Sequence, residues 1–544
     1  MTLGERLPAD LRPGLVGVDN GSGPTLSVST KPPSRVTGLA VPVILLRSGR
    51  VIDPRTSFDG TADVLLDGSG VAAVGADLPV EDGTTVVDVE GMVVGPGFVD
   101  LHSHTHSIAG HRLQAMDGVS TALDLEAGLM PVEVAYRRAA AEGRPLNYGF
   151  SASWAAARAQ VLLGREPDAS FSSGLAVLGE DEWQRSSSAP ELSRWLRLLE
   201  SELAAGALGI GVLLGYAPRS DPAEFLAVAR LAASAGAPTY THVRELVEAD
   251  PTTPIDGSEE IVIAAAETGA AMHHCHVNST SRRHVDRVLA TLSRARSAGS
   301  RVTVETYPYG AGSTAIGASF LAPDRLHRWG LRPSSLLMVG TGERIASAGR
   351  LIELRATAPG AECIVEFLDE ENAEDRALLR QALAFGNSIV ASDAMPVEWP
   401  AQPQDAAGRP GISHARDSRQ WPLPPHGATH PRTAGTFAKS VRLMVREAGL
   451  WSWLEAFRRC SFLPARVLDE VSPAARGKGW LGAGSDADIV VLDPDSITDT
   501  ATYRDPTRAS VGVRHLLVNG EFVVRDGAVV AGSYPGRAVR GAPA

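Results

Sequence analysis

The sequence is poor in cysteine and contains no long apolar run. Its three cysteines are too few and too scattered for a disulfide framework, which predicts a reducing, cytoplasmic setting. No stretch approaches the ~18 consecutive apolar residues of a membrane-spanning helix, so we expect no membrane partner. The chain has a net charge of −12, whereas a protein that binds a polyanion needs an excess of basic residues. We therefore expect no nucleic-acid partner. The oligomeric state stays open.

The rest of the composition is that of a globular protein, with 44% hydrophobic and 21% charged residues. At 544 residues the chain is long enough for several domains. We predict a disordered leader rich in Gly, Pro, Ser and Thr (1–41), the first part of a β-sandwich module (42–97), a barrel (98–320), an inserted α/β element (321–385), the end of the barrel (386–470) and the second part of the β-sandwich module (471–544).

The middle of the chain alternates strand-like and helical patterns. Residues 190–205 place leucines and a tryptophan on one helical face, and the apolar run 209–214 follows as a strand. Repeated βα units predict a parallel sheet, and the length fits a TIM-type (β/α)8 barrel. The expected fold class is therefore α/β: this barrel, a small β-sandwich module built from both chain ends, and a small insertion. Catalytic residues of such a barrel lie at the C-terminal ends of its strands.

A pair of histidines follows the first barrel strand. The mostly apolar run 98–101 (FVDL) leads directly into His102 and His104, spaced i, i+2. Successive side chains of a strand alternate between its faces, so both imidazoles can reach one metal ion. His106 continues the series into the loop beyond.

Further metal-ligating or acidic residues occur at later predicted strand ends. Zinc binds imidazole nitrogen and carboxylate oxygen, and a catalytic zinc keeps one position open for water. The ordered series predicts a zinc-dependent hydrolase with one or two ions. Its residues are His102 and His104, then Asp124 or Glu126, then His242, then His276, and finally Asp393.

Strand alternation leaves one choice open among these candidates. His274 shares a face with His276; we favour His276, which is nearer the strand end, and keep His274 as the alternative. Asp393 is the candidate catalytic residue, a general base that takes a proton from water and returns it to the leaving nitrogen.

Longer motifs resemble a known family. The segments 307–314 (YPYGAGST) and 430–437 (HPRTAGTF) resemble motifs of the N-acyl-D-amino-acid deacylases, or D-aminoacylases, of the amidohydrolase superfamily. The strand 95–104 (GPGFVDLHSH) resembles that superfamily's first-strand signature, and the similarity extends over residues 43–540. The resemblance implies zinc-dependent hydrolysis of an N-acyl-D-amino acid, a small-molecule substrate, to a carboxylate and a D-amino acid.

The resemblance also implies a substrate site. Tyr307, Ser313 and Arg432 match the family positions that hold the substrate's α-carboxylate, and a guanidinium fork pairs well with a carboxylate. The chain departs from the family at Ala127, which stands where the family has a cysteine ligand. The Pro-rich loop 396–425 is also longer than the family pattern and could reshape the substrate pocket.

Lysine is nearly absent, and this restricts the metal ligands. Many binuclear amidohydrolases bridge two ions with a carboxylated lysine from a mid-barrel strand, but this sequence has only Lys31, Lys439 and Lys478, all elsewhere. The anionic ligand must be another residue, for which we favour Glu126 over Asp124.

Other functions remain as alternatives at this point. The changed ligand and the longer loop are compatible with another amidohydrolase, acting on cyclic amides of the hydantoin or dihydroorotate type or on dipeptides. A barrel that has lost its metal and serves as a scaffold is the third hypothesis, which the complete set of ligand types disfavours.

Overall fold

The structure is a computed structural model that describes residues 43–399 and 419–542. The predicted leader (1–41) and residues 400–418 of the Pro-rich loop lie outside these ranges. None of the helices in these ranges combines the length and the apolarity needed to cross a bilayer.

The described strands and helices follow one another from β1 to β20 and from α1 to α15. The strands are β1 (Val43–Asp53), β2 (Phe58–Asp67), β3 (Gly70–Gly75), β4 (Thr85–Asp88), β5 (Val93–Pro96), β6 (Phe98–Asp100), β7 (Val119–Leu129), β8 (Asn147–Ser153), β9 (Ile210–Leu213), β10 (Thr239–His242), β11 (Met272–His274), β12 (Val302–Thr306), β13 (Ala311–Ala315), β14 (Leu336–Met338), β15 (Glu362–Glu366), β16 (Ser388–Val390), β17 (Ile489–Leu492), β18 (Val513–Val518), β19 (Glu521–Arg525) and β20 (Ala528–Val529). The helices are α1 (Ile108–Met116), α2 (Val132–Glu142), α3 (Trp154–Leu163), α4 (Phe171–Ala176), α5 (Asp181–Gln184), α6 (Ala189–Ala204), α7 (Pro222–Ser234), α8 (Gly257–Thr268), α9 (Val277–Ser281), α10 (Val285–Ser297), α11 (Ala348–Thr357), α12 (Ala373–Ala384), α13 (Arg432–Val441), α14 (Trp453–Phe457) and α15 (Leu463–Val467).

Eight parallel strands form the barrel, in the order β16-β12-β11-β10-β9-β8-β7-β6. The two end strands are joined just beyond their carboxyl ends, where the backbone N–H of His104 donates to the carbonyl of Ala394 at 2.7 Å. The predicted TIM-type fold is confirmed. Because all strands run the same way, their carboxyl ends meet at one rim.

The helices between the barrel strands form for local reasons that the sequence carries. Helix α7, for example, begins at a capping box in which Asp221 accepts from the backbone of the first turn and Glu224 reaches back to the backbone of Asp221. Its buried residues Phe225, Val228 and Ala232 recur at spacings of three and four. This face packs in the large core around the barrel, which positions β10 and its last residue at the rim.

Strands from both chain ends form a single nine-stranded sheet. The N-terminal strand β5 pairs antiparallel with the C-terminal strand β17, which joins the two parts. Alternate residues of β17 serve different cores: Ile489 and Val491 pack within the module, whereas Val490 and Leu492 pack with Phe98 against the barrel. The period-2 alternation of a strand therefore fixes the module to the barrel.

A three-stranded antiparallel sheet, in the order β13-β15-β14, is inserted after β12. It begins at Ala311, before the predicted start of the insertion at residue 321. This sheet carries Ser313, so the insertion supplies part of the pocket wall described below.

Candidate active site

The rim where the barrel closes is held together by a buried carboxylate. Asp100 accepts hydrogen bonds at Oδ1 from the backbone N–H of His102 at 3.1 Å and of Ser392 at 3.0 Å. The Ser392 hydroxyl also donates to Asp100. The last residue of β6 thus fixes both the first histidine of the pair and the residue before Asp393.

One half of the site is formed by the histidine pair and two carboxylates. The Nε2 atoms of His102 and His104 face each other at 3.0 Å. Glu126 Oε2 lies 3.3 Å from Nε2 of His102 and 3.7 Å from Nε2 of His104. Asp393 Oδ1 lies 3.5 and 3.7 Å from the same two nitrogens. All four side chains are buried, so these donor atoms converge on one enclosed point.

The other half is formed by the second oxygen of Glu126. Its Oε1 lies 2.7 Å from Nε2 of His276 and 3.1 Å from Nδ1 of His242. The two carboxylate oxygens of Glu126 therefore face two different histidine pairs, and Glu126 lies between them.

Two more buried carboxylates hold the outer faces of the first histidines. Asp124 lies 3.1 Å from Nδ1 of His104 and 2.7 Å from Nε2 of His106. Glu305 lies 2.5 Å from Nδ1 of His102 and 2.9 Å from Nε2 of His273. Such contacts fix the ring orientation, so that the opposite nitrogen points into the site.

Sequence reasoning missed Glu305. The available signal was a carboxylate inside the otherwise apolar and threonine-rich strand β12, directly before the YPYGAGST motif. Glu305 and His102 are far apart in the chain, so only the folded barrel brings them into contact.

The carboxylates make the site attractive to cations. Burial alone would lower the pKa of His104, but Asp124 raises it to about 9. Burial alone would raise the pKa of Glu126, but the charges of His102 and His276 hold it well below its usual range. The same carboxylates that stabilise protonated imidazoles would stabilise a metal cation in their place.

The histidines at the end of β11 do not follow strand alternation. The strand ends at His274, and His276 adopts a φ of 29° at the start of α9. His274 is buried and hydrogen-bonded to the carbonyl of Cys275, and burial lowers its pKa to about 3. Asp393 has a φ of 51°, so two of the site residues occupy the left-handed region in which functional residues are often held.

Arg432 lies next to the candidate metal ligands and carries unpaired donor atoms among the described residues. The guanidinium of Arg432 is fully buried, with Nη2 2.9 Å from Asp393 Oδ1 and its centre 4.9 Å from the ring of Tyr307. Among the described residues, its Nε and Nη1 have no hydrogen-bond partner. A Cβ on Gly312 would lie 3.1 Å from the Tyr307 hydroxyl and 3.5 Å from Nη1, so the glycine leaves room beside both groups.

Ser313 lines the same pocket, but its hydroxyl already has a partner. Ser313 Oγ lies 2.5 Å from Oε1 of Glu362, whose pKa is raised to about 8 by burial. Tyr307, Ser313 and Asp393 thus line one pocket, and the buried Arg432 lies behind its wall in contact with Asp393.

The donor atoms of the site fit a metal ion. Among the described residues, three groups of side chains could each hold one: His102 with His104 and Asp393, His102 with Glu126 and His276, and His102 with Cys275 and Glu305. The first two combine imidazole nitrogen with carboxylate oxygen, the mixture that catalytic zinc sites use. The fold and these groups define a metal-dependent hydrolase built on a TIM-type barrel.

The chain is similar to known proteins along most of its length. A model of the Amidohydrolase family matches residues 422–524. The chain is 27% identical over 502 residues to the N-acyl-D-glutamate deacylase of Alcaligenes xylosoxydans xylosoxydans, which covers 88% of this chain and 92% of the relative. It is 27% identical over 526 residues to the D-aminoacylase of the same organism, covering 91% of this chain and 96% of the relative. The chain is therefore similar to amidohydrolases over nearly its whole length, as its motifs predicted.

A solved structure shows the same fold over nearly the whole chain. It is the N-acyl-D-glutamate deacylase from Bordetella bronchiseptica complexed with zinc and a phosphonate inhibitor, with a TM-score of 0.69 and 24% sequence identity. The match covers 91% of this chain and 99% of that protein.

Proposed function

We propose that this protein is a zinc-dependent deacylase that hydrolyses N-acyl-D-amino acids to a carboxylate and a D-amino acid. The observation that carries the proposal is a cluster of candidate metal ligands directly beside Arg432, whose Nε and Nη1 have no partner among the described residues. A substrate with an amide bond and a free carboxylate needs both groups. The zinc and the D-configuration are supported by the relatives that match along the chain.

The proposed zinc ligands are His102, His104, Glu126, His242 and His276. When bound, zinc polarises a carbonyl group and lowers the pKa of water, so that hydrolysis runs at neutral pH. The oxygens of Glu126 face separate histidine pairs, so Glu126 would hold the metal from both halves of a site for one or two ions. The same distances favour Glu126 over Asp124, which contacts the outer nitrogen of His104.

Asp393 is the proposed proton carrier. Its Oδ1 lies between the histidine pair and the Arg432 guanidinium. The scissile amide would lie at this point when the carboxylate of the substrate binds near Arg432. A carboxylate oxygen of Asp393 takes one proton from the attacking water and delivers it to the amide nitrogen as the C–N bond breaks. The water oxygen bonds to the carbonyl carbon, and the second proton of water passes from the new carboxylic acid to the amine, so the products are a carboxylate and the ammonium form of the D-amino acid.

The proposed carboxylate site is formed by Arg432, Tyr307 and Ser313. Nε and Nη1 of Arg432 offer charged donors, and the Tyr307 hydroxyl lies on the same side of Gly312. The Ser313 hydroxyl donates to Oε1 of Glu362 at 2.5 Å, which fixes Ser313 in the wall of this site.

All three cysteines are buried and unpaired, which supports the cytoplasm as the compartment. Hydrolysis of cyclic amides or dipeptides has less support, because the relatives that match nearly the full chain are named as deacylases of N-acyl-D-amino acids.

The test combines metal content with turnover. Wild type, Glu126→Gln and the exposed control Glu200→Gln are loaded with zinc, desalted and analysed by elemental mass spectrometry. Each is then assayed with N-acetyl-D-methionine, N-acetyl-D-glutamate, their L-enantiomers, hydantoin and dihydroorotate. We expect wild type and Glu200→Gln to retain zinc and cleave a D-substrate, and Glu126→Gln to lose zinc and activity.

Other results would overturn parts of the proposal. Zinc retention with turnover of hydantoin or dihydroorotate alone would replace the substrate class. A wild-type protein that retains no zinc and cleaves nothing would favour the scaffold hypothesis. Full zinc content in Glu126→Gln would remove Glu126 from the ligands.

A further inference from the structure

A second cavity adjoins the active-site pocket. The pocket over the candidate ligands is narrow, with a volume of ≈ 80 Å³, whereas the neighbouring cavity measures ≈ 390 Å³. We call the larger one the side cavity. Ala127, Phe171, Leu175 and Leu213 line both, so the two spaces meet at these residues.

The junction lies directly beside the candidate metal ligands. Ala127 follows Glu126 in the chain, and Leu213 pairs with His242 in the register of β9 and β10. The ring of Phe171 stacks on His104, with centroids 4.3 Å apart and planes inclined by 12°. A substituent of the scissile carbonyl that points to this side would extend directly into the side cavity.

The chemistry of the side cavity is that of an alkyl binding site. Its inner wall is formed by aliphatic residues and by alanines of α3, including Met130, Val177, Ala156 and Ala159. The small alanine side chains leave the space that the cavity occupies.

The charged groups lie at the outer end of the side cavity and already have partners. Arg165 contacts Glu180 at 2.6 Å, and Glu166 accepts from Gln160 at 2.8 Å. Asp168 Oδ1 accepts from the backbone of Ser170. These contacts leave the cavity suited to an apolar occupant, because no charge of its lining needs a ligand.

The position of the carboxylate site determines which part of the substrate reaches the side cavity. Tyr307, Gly312 and Ser313 line the active-site pocket and are absent from the lining of the side cavity. An N-acyl amino acid carries its carboxylate and its acyl chain on opposite sides of the amide bond. With the carboxylate near Arg432 and the carbonyl over the metal ligands, the acyl chain points toward Ala127 and Phe171.

The substrate's side chain on Cα would lie against a different wall of the active-site pocket. Tyr216 contacts Phe320 at 5.3 Å between centroids, and Phe320 stacks on Trp329 at 4.9 Å. The Tyr216 hydroxyl is hydrogen-bonded to Thr314, the neighbour of Ser313, so this aromatic wall lies on the carboxylate side.

We propose that the enzyme takes N-acyl-D-amino acids with a medium-length alkyl acyl group, of about six to ten carbons, and seats that alkyl chain in the side cavity. The proposal rests on the deacylase function proposed above. Each methylene group moved from water to an apolar cavity favours binding by about fourfold, so a preference for acyl length should be steep until the cavity is filled.

The experiment measures kcat/KM against acyl length in the zinc-loaded protein. The substrates are N-acetyl-, N-butanoyl- and N-octanoyl-D-methionine, and the proteins are wild type, Ala156→Phe and the control Ala227→Phe. Ala156 and Ala227 are both half-buried helical alanines, but only Ala156 lines the side cavity. We expect octanoyl to exceed butanoyl by at least about tenfold in wild type and in Ala227→Phe. Ala156→Phe should lose most of this preference while acetyl turnover stays within about threefold of wild type.

The outcomes separate the two proposals. Absence of turnover for every acyl length would refute the deacylase function itself. Turnover of the acetyl substrate without a gain for octanoyl would refute only the alkyl proposal. An octanoyl preference that survives in Ala156→Phe would place the chain outside the side cavity. If Ala156→Phe does not fold, as judged by lost acetyl turnover, Ala156→Leu makes the same comparison with a smaller change of volume.

Discussion

Arg432→Lys tests the carboxylate site most directly. The guanidinium contacts Asp393 through Nη2 at 2.9 Å, while Nε and Nη1 are without partners among the described residues. Lysine keeps a positive charge beside Asp393 but lacks the planar fork that binds a carboxylate through two nitrogens. The substitution therefore separates support of Asp393 from recognition of the substrate.

The magnitude follows from the hydrogen bonds that are lost. A hydrogen bond to a charged group contributes about 1.5 to 3 kcal/mol, and lysine removes at least one of the two that Arg432 can give to the substrate. We therefore expect kcat/KM for N-acetyl-D-methionine to fall by about 10- to 150-fold. The fall should appear mainly with substrates that carry a free carboxylate.

The assay compares N-acetyl-D-methionine with its carboxamide, N-acetyl-D-methioninamide, in wild type and Arg432→Lys. The preference of wild type for the carboxylate should be largely lost in the variant, whereas the exposed control Arg194→Lys should leave it unchanged. An equal fall for both substrates would refute the reasoning, because Arg432 would then act only through Asp393.

Three further predictions concern metal affinity, pH and metal removal. Glu305→Gln should weaken zinc affinity by about 10- to 100-fold, because Glu305 holds Nδ1 of His102. Competition with a chromophoric chelator measures the zinc affinity. An unchanged affinity would contradict this prediction. Burial raises the pKa of Glu362 to about 8, so the folded protein retains a proton that the unfolded chain releases above its normal pKa of 4.5. Wild type should lose stability relative to Glu362→Gln as pH rises from 5 to 8, seen in urea unfolding of the zinc-loaded proteins, and a difference that does not change with pH would exclude the raised pKa. Removal of zinc by a chelator should lower the Tm of the protein. Zinc restored at about 100 times its Kd should return about 2.7 kcal/mol of unfolding free energy. An unchanged Tm would show that no metal binds the folded state.

Part of the site could be predicted because strand periodicity is local. The i, i+2 spacing of His102 and His104 on β6 needs only the alternation of side chains, and the barrel follows from repeated βα units. The same alternation places Asp124 and Glu126 on one face and so cannot separate them. The structure separates them by distance, since Asp124 meets the outer nitrogen of His104 and Glu126 meets the inner ones.

Elsewhere the chain leaves strand geometry, and local rules stop applying. His276 and Asp393 both have positive φ, so the direction of their side chains comes from turns after the strands. Strand alternation had placed His274 and His276 on one face, whereas His276 lies beyond the end of β11.

The sequence by itself therefore determined the barrel, the order of the candidate ligand types at its strand ends, and the resemblance to amidohydrolases. Only the tertiary structure decided that Glu126 lies between two histidine pairs, that Glu305 supports His102, and that a side cavity opens beside Ala127. The physical reason is the separation along the chain over which each kind of interaction acts. Hydrophobic periodicity and capping act within a few residues, whereas these contacts join side chains on different strands, whose distances are set by the closure and packing of the whole barrel.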